Sequence, residues 1–192
     1  MLYRFSRRLL RILFGLMYRL EAIGTGHIPA EGAVILCSNH ISLLDPPIVG
    51  TPLDRSVRFM AKAELFGVPL FGSLIKKLGA FPVKRGGVSK ETVKLTLQLL
   101  KEGEMLCIFP EGSRKNPGVG KKGAAMFATR TNATVIPVAI IGNYALFRKV
   151  RVVYGPPVDL AEFAEGTNEQ LEAATDKIMN AIGGLLSSQG KG

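Results

Sequence analysis

A histidine followed five residues later by an aspartate, His40 and Asp45 in SNHISLLDPP, is the pair in this sequence best suited to moving a proton. An imidazole oriented by a carboxylate takes a proton from an alcohol near neutral pH, an effect worth about 10²–10⁴-fold. The chain has two histidines, and His40 is the one that directly follows an apolar run, AVILC. His27 lies in the turn-rich stretch GTGHIPAEG and reads as a surface or structural residue. Asp45 before Pro46 also has the form of a helix N-cap with proline at the first helical position. The two readings are compatible, because a capping turn can hold the carboxylate near the imidazole.

Two further loops are basic and rich in glycine. GAFPVKRGG places Lys84 and Arg85 before paired glycines, and FPEGSRKNPGVGKKG carries Glu111, Gly112, Ser113 and Arg114, then Lys115, Lys121 and Lys122. A guanidinium offers a planar fork to a phosphate, and a lysine adds point charge. If both loops meet at one anion site beside His40, a phosphorylated alcohol docked there presents its hydroxyl for deprotonation. With an already activated acyl donor no protein nucleophile is required. The oxyanion formed on the donor carbonyl calls for backbone N–H groups or the Asn39 amide.

The formal charge of +10 points to a polyanion, whether nucleic acid, acidic lipid or phosphorylated small molecule. Aromatic residues are 7% of the chain, tryptophan is absent and the basic residues do not interleave with rings, so base-stacking surfaces are not expected. PGVGKKG lacks the spacing of a P-loop, and there is no G-x-S-x-G nucleophile elbow. Cys37 and Cys107 each sit inside an apolar run and read as small buried hydrophobes in a reducing, cytoplasmic setting. No metal-ligand spacing is recognisable, and no metal is expected. A basic lipid- or nucleic-acid-binding module without catalysis is the alternative, and the intact His40 and Asp45 pair argues against it.

The elements that must position these loops alternate. Apolar runs at 33–38, 57–61, 79–83, 105–109, 134–140 and 150–154 read as strands, and helical patterns fall at 46–52, 69–78, 89–102, 121–131 and 168–186. Several runs lack strict alternation, as strands buried on both faces do. The expected fold is α/β, a mostly parallel sheet flanked by helices, with working residues beyond the strand C-termini.

The first twenty residues, MLYRFSRRLLRILFGLMYRL, are too charged to span a bilayer. On a helix, Arg4, Arg7, Arg8, Arg11 and Arg19 share one face while Leu2, Phe5, Leu9, Leu10, Ile12, Leu13, Phe14, Leu16 and Met17 fill the rest. That is the pattern of an interfacial helix, its apolar sector in the acyl boundary and its arginines near anionic headgroups. Residues 1–22 are therefore expected to be a membrane-anchoring helix, with Arg4, Phe5, Arg7, Arg8, Leu9, Arg11, Ile12, Leu13 and Leu16 in contact with lipid. Residues 23–192 are expected to form one α/β domain, peripheral or monotopic on the cytoplasmic side of the cell membrane.

Taken together the loops resemble those of the glycerolipid acyltransferases, in particular the bacterial 1-acylglycerol-3-phosphate acyltransferases. Asn39-His40 with Asp45 is similar to that family's NHX4D block, and Phe109 to Arg114 (FPEGSR) to its FPEGTR block. Phe81 to Arg85 (FPVKR) is similar to the intervening arginine block, and Val135 to Ala139 (VIPVA) to the final apolar-proline block. The four occur in the family's order, with Ser113 in place of the commoner threonine. The resemblance implies that His40 takes the proton from the acceptor hydroxyl and that Asp45 orients the imidazole. It implies that Arg85 and Arg114 bind the acceptor phosphate, with Lys84, Ser113 and Asn39 in the same substrate site, and that Glu111 and Gly112 shape the glycerol site. It also implies acyl-coenzyme A or acyl-carrier protein as donor, lysophosphatidic acid as acceptor, an anionic membrane surface as partner and no cofactor. Another glycerol-phosphate or lyso-lipid acceptor fits the same residues.

Overall fold

The computed structural model describes residues 2–83, 89–112, 118 and 120–189, with side chains from residue 6 to residue 188. Among the described residues seven strands form one sheet: β1 (Glu21–Ile23), β2 (Val34–Ser38), β3 (Val57–Lys62), β4 (Ala80–Val83), β5 (Met105–Ile108), β6 (Thr134–Ile141) and β7 (Arg151–Tyr154). Their order across the sheet is β1-β7-β6-β2-β5-β3-β4, and every pairing is parallel except β6 with β7. The α-helices among the described residues are α1 (Leu2–Tyr18), α2 (Asp45–Gly50), α3 (Phe71–Lys77), α4 (Lys90–Lys101), α5 (Gly123–Thr131) and α6 (Asn168–Gln189).

The central strands β2, β5 and β6 are apolar at nearly every position, Ser38 and Thr134 aside, because both sheet faces are covered. In β2, Val34 and Leu36 enter one core with Phe14 and Tyr18 of α1 and Ile48 and Val49 of α2. Ile35 and Cys37, pointing the other way, enter a second core with Leu100 of α4, Phe127 of α5 and Ile178 of α6. The same period of two divides β5 and β6, with Met105 and Ile136 on the first face and Leu106 and Val135 on the second. Each such side chain, fully withdrawn from water, contributes about 1.5–3 kcal/mol. The expected α/β sandwich is present, and the strand runs fall where the sequence placed them. β1 was not expected: its three residues, Glu-Ala-Ile, carry no periodic signal and pair in parallel with β7 at the sheet edge.

That short strand places the boundary expected after residue 22 inside an element of the main sheet. Helix α1 leads directly into it and packs on the first core through Leu10, Phe14, Met17 and Tyr18, which recur at one helical face. Arg7 lies on the side of α1 nearest this core, with an intramolecular partner. Its guanidinium donates to the Leu53 carbonyl and lies 3.4 Å from the Asp54 carboxylate, tying α1 to the turn after α2. Arg8 and Arg11 are exposed, and so are Leu9, Ile12, Leu13 and Leu16, which form a second apolar stripe turned away from the core. The side chains of Arg4 and Phe5 lie outside the described ones. Among the described residues no helix is long and apolar enough to cross a membrane.

Candidate active site

β2 lies between β6 and β5 and runs parallel to both, so the chain leaves all three strands at one edge of the sheet. His40, Phe109 and Tyr144 sit just past the ends of β2, β5 and β6, and the three converge. His40 Nδ1 is 2.6 Å from Asp45 Oδ2, and the His40 ring stacks on Phe109 with centroids 4.2 Å apart and planes 24° from parallel. Tyr144 donates its hydroxyl to Asp45 Oδ1 at 2.5 Å.

The segment from His40 to Asp45 is wound around this carboxylate. Ile41 N–H and Ser42 N–H both donate to Asp45 Oδ2 at 2.7 Å, and the side chain of Asp45 is fully buried. This corrects the reading of Asp45 as an N-cap. It is the first residue of α2, its carboxylate bonds backward to the loop instead of forward to the helix, and Leu44 occupies the capping position. Pro46 and Pro47 have no N–H to leave unsatisfied in the first turn, so the helix does not require a side-chain cap.

Four donors on one buried carboxylate also settle the imidazole tautomer. With Oδ2 already accepting from two backbone N–H groups, Nδ1 is the donor in its bond to Asp45, which leaves the lone pair on Nε2. The His40 side chain keeps 17% exposure, so the ring is not sealed inside the core as Asp45 is. Burial first, and then the Asp45 carboxylate, push the Tyr144 phenol far above its ordinary range, so it remains the hydrogen-bond donor.

The other expected site residues divide into three groups. Asn39, 8% exposed, donates to the Ile140 carbonyl at 3.0 Å and accepts from the Ile140 N–H at 2.8 Å. Its amide thus extends the β2–β6 ladder by one rung and holds the strand end that leads to His40. Glu111, 6% exposed, accepts from the Gly118 N–H at 2.8 Å and closes the loop after β5. Gly112 has φ +67°, and a Cβ there would stand 2.9 Å from the Cδ, Cε and Nζ atoms of Lys121, so the lysine passes over the bare glycine backbone. Lys84, Arg85, Ser113 and Arg114 lie outside the described residues. The strands that deliver these basic loops, β4 and β5, are separated by β3 alone, about 10 Å at ordinary strand spacing.

Phe109 and Tyr144 had no assigned role in the sequence reading. Phe109 belongs to a block already singled out, and its position beside a strand end was the available signal. Tyr144 follows Gly142 and Asn143 just past the end of β6, in a stretch that matches no motif to mark it. Gly142, at φ +119°, lets the chain turn where a Cβ would come 2.5 Å from the Lys149 carbonyl oxygen. His27 is structural, as expected, its Nδ1 2.8 Å from the Tyr154 carbonyl oxygen. The cysteines are buried; desolvation raises the Cys37 thiol to about 12 and also raises Cys107, so neither supplies a thiolate nucleophile.

The Acyltransferase family model matches residues 19–141, which contain the dyad, both flanking strand ends and most of the sheet. The 1-acyl-sn-glycerol-3-phosphate acyltransferase of Bacillus subtilis (strain 168) is 31% identical over 189 residues, covering 94% of this chain and 95% of that protein. The protein of the same name from Streptococcus pneumoniae is 31% identical over 151 residues, 75% of this chain and 57% of its own length. The crystal structure of the 1-acyl-sn-glycerophosphate (LPA) acyltransferase PlsC from Thermotoga maritima shares the fold, with a TM-score of 0.66 and 24% identity over 93% of this chain and 77% of that one. Because the family match spans most of the chain and the Bacillus match spans nearly all of it, this chain belongs to the Acyltransferase family.

Proposed function

We propose that the protein moves a fatty acyl group from acyl-coenzyme A or acyl-carrier protein to the free hydroxyl of 1-acyl-glycerol 3-phosphate, giving phosphatidic acid for phospholipid synthesis. The observation that carries this reading is His40, bonded through Nδ1 to a buried carboxylate and stacked on the first residue of FPEGS. The names of the Bacillus and Streptococcus relatives support the acceptor.

In this reading Nε2 of His40 takes the acceptor's hydroxyl proton as the oxygen attacks the thioester carbonyl. A C–O bond forms, the C–S bond breaks, and the departing thiolate recovers the proton from the imidazolium. Asp45 holds the ring and offsets its positive charge while the proton is on it. The donor carbonyl is already activated, so no metal or cofactor enters the scheme. Arg85 and Arg114, with Lys84 and Ser113, bind the acceptor phosphate, and Lys121 over Gly112 adds a further cation at the same strand end. Glu111 and Gly112 hold the loop that receives the glycerol.

The substrates are lipids, and the surface supports a seat on an anionic membrane at its cytoplasmic face. Apart from Leu95, the large exposed apolar side chains among the described residues lie on α1 or in chain leaving the C-terminal ends of β2, β3 and β6. Leu9, Ile12, Leu13 and Leu16 are on α1; Ile41 and Leu43 follow β2; Val68, Leu70, Phe71 and Leu74 follow β3; Leu146 and Phe147 follow β6. The strand connections thus expose apolar surface at the same sheet edge as the dyad.

An assay offering labelled acyl-coenzyme A and acyl-carrier protein with lysophosphatidate, glycerol 3-phosphate and other lyso-lipids, read by product mass, tests the proposal. Phosphatidate formed by the wild type and lost in His40→Ala supports it. Equal activity in the two proteins under conditions where chemistry limits the rate refutes it.

A further inference from the structure

The Asp45 carboxylate is shut away from solvent, and its two oxygens are served unequally. Oδ2 takes His40 Nδ1, Ile41 N–H and Ser42 N–H, whereas the hydrogen bond at Oδ1 is the one from Tyr144. The three bonds on Oδ2 come from the dyad's own loop. Tyr144 arrives from the segment that follows another strand, β6, and is the contact that fixes the rotation of the carboxylate about its Cβ–Cγ bond from outside that loop.

Tyr144 is in turn braced by α1. The edge of one ring meets the face of the other between Tyr18 and Tyr144, with centroids 5.5 Å apart and planes at 86°. Two backbone bonds hold the same segment to the last turn of α1: Phe147 N–H to the Met17 carbonyl at 2.6 Å, and Val150 N–H to the Tyr18 carbonyl at 2.9 Å. Tyr18 itself packs against Phe14, one turn earlier and buried in the core, with the rings tilted by 33°. A continuous set of contacts therefore runs from α1 through Tyr18 and Tyr144 to Asp45 and His40.

We propose that Tyr144 is a positioning residue for the His40–Asp45 dyad, and that the last turn of α1 holds it in place. The consequence for turnover rests on the acyl-transfer reading above, but the geometric claim does not. Burial, and then the Asp45 carboxylate, raise the phenol well above its ordinary range, so Tyr144 is the donor in its bond to Oδ1. No water reaches Oδ1 to replace it, since the Asp45 side chain is fully enclosed.

The test uses the full chain in detergent or on vesicles of zwitterionic and anionic phospholipid. Tyr144→Phe keeps the ring against Tyr18 and removes only the donor. Its kcat is expected to fall about tenfold with both Michaelis constants within about twofold of wild type, the pattern of lost orientation and not lost binding. The far-downfield proton resonance of His40 Nδ1 is expected to shift, and it reads the geometry without turnover. Tyr18→Leu, or Tyr18→Met should the leucine variant fail to fold, is expected to move the same resonance in wild type and to add nothing in the Tyr144→Phe background. Wild-type kcat and an unmoved resonance in Tyr144→Phe overturn the proposal, and a resonance indifferent to Tyr18 overturns its link to α1. Full activity in His40→Ala would instead strike the acyl-transfer reading and leave the resonance test standing.

Discussion

His40 and Phe109 come from the ends of different strands yet lie ring on ring, with centroids 4.2 Å apart. Asp45 restrains the imidazole in its plane, and Phe109 restrains it across that plane, so together they fix where Nε2 points. Phe109→Leu preserves much of the apolar volume and removes the flat surface. Its kcat is expected to fall roughly 10- to 10²-fold, as small misplacements of a base do. Michaelis constants near wild type with that loss confirm the orienting role; unchanged kcat refutes it.

Asparagine and alanine at position 45 should separate charge from architecture. In Asp45→Asn the amide oxygen still accepts from Ile41 N–H and Ser42 N–H, and the amide nitrogen can donate to the Tyr144 oxygen. The loop is retained while the negative charge is lost, and kcat is expected to drop by about 10²-fold or more. Asp45→Ala leaves those donors buried without partners, at about 1–3 kcal/mol for each such group. Urea unfolding should therefore show alanine well below asparagine in stability, with both nearly inactive.

Gly112 offers a test of the loop after β5. At φ +67° an alanine is strained by about 1–2 kcal/mol, and its Cβ displaces the flexible end of Lys121. Gly112→Ala is expected to lose that stability in thermal or urea unfolding and to raise the acceptor Michaelis constant several-fold. Lys121→Ala should raise the same constant without the loss of stability, and if it does not, Lys121 is outside the phosphate site.

The strands and the dyad were legible because their signals are local. Runs such as VILCS and TVIPVAII are apolar on both faces for the reason the fold makes plain, burial on both sides of the sheet, and a histidine just beyond such a run needs little context. β1 was not legible, since three residues at a sheet edge owe their pairing to β7, 130 positions away in the register Glu21 with Arg151. The same limit hid Tyr144, which meets Asp45 from 99 residues away. Asp45 was misread as a cap because Asp-Pro-Pro satisfies the helix-start pattern whichever way the carboxylate turns. The covered side of α1 was not legible either, because helical projection groups residues by angle and does not say which apolar stripe the domain will cover.

Helix α1 has two apolar stripes with opposite fates, and substitutions should behave accordingly. Leu16 is 69% exposed, so Leu16→Glu is expected to leave folding nearly unchanged while weakening co-sedimentation with anionic vesicles. Phe14 is 5% exposed in the first core, so Phe14→Ala is expected to cost about 3–5 kcal/mol of stability. Vesicle binding by Leu16→Glu that equals wild type would remove the membrane role from this stripe.

The two thiols make alkaline stability a measure of the core. Cys37 titrates at about 12 in the folded protein against an ordinary 9.0, because burial disfavours the thiolate, and Cys107 is raised in the same sense. Below pH 9 both folded and unfolded chains carry the proton and the contribution to stability is complete. Above it the unfolded chain ionises while the folded one does not. Stability therefore falls as pH rises from about 9 towards 12, by up to about 1.4 kcal/mol per pH unit for each such thiol. Urea unfolding at pH 8 and pH 10.5 should show a smaller loss between the two in Cys37→Ala than in wild type. The same burial predicts that a thiol reagent at pH 8 labels neither cysteine until urea unfolds the chain, and rapid labelling of the native protein would contradict the packing of β2 against β5.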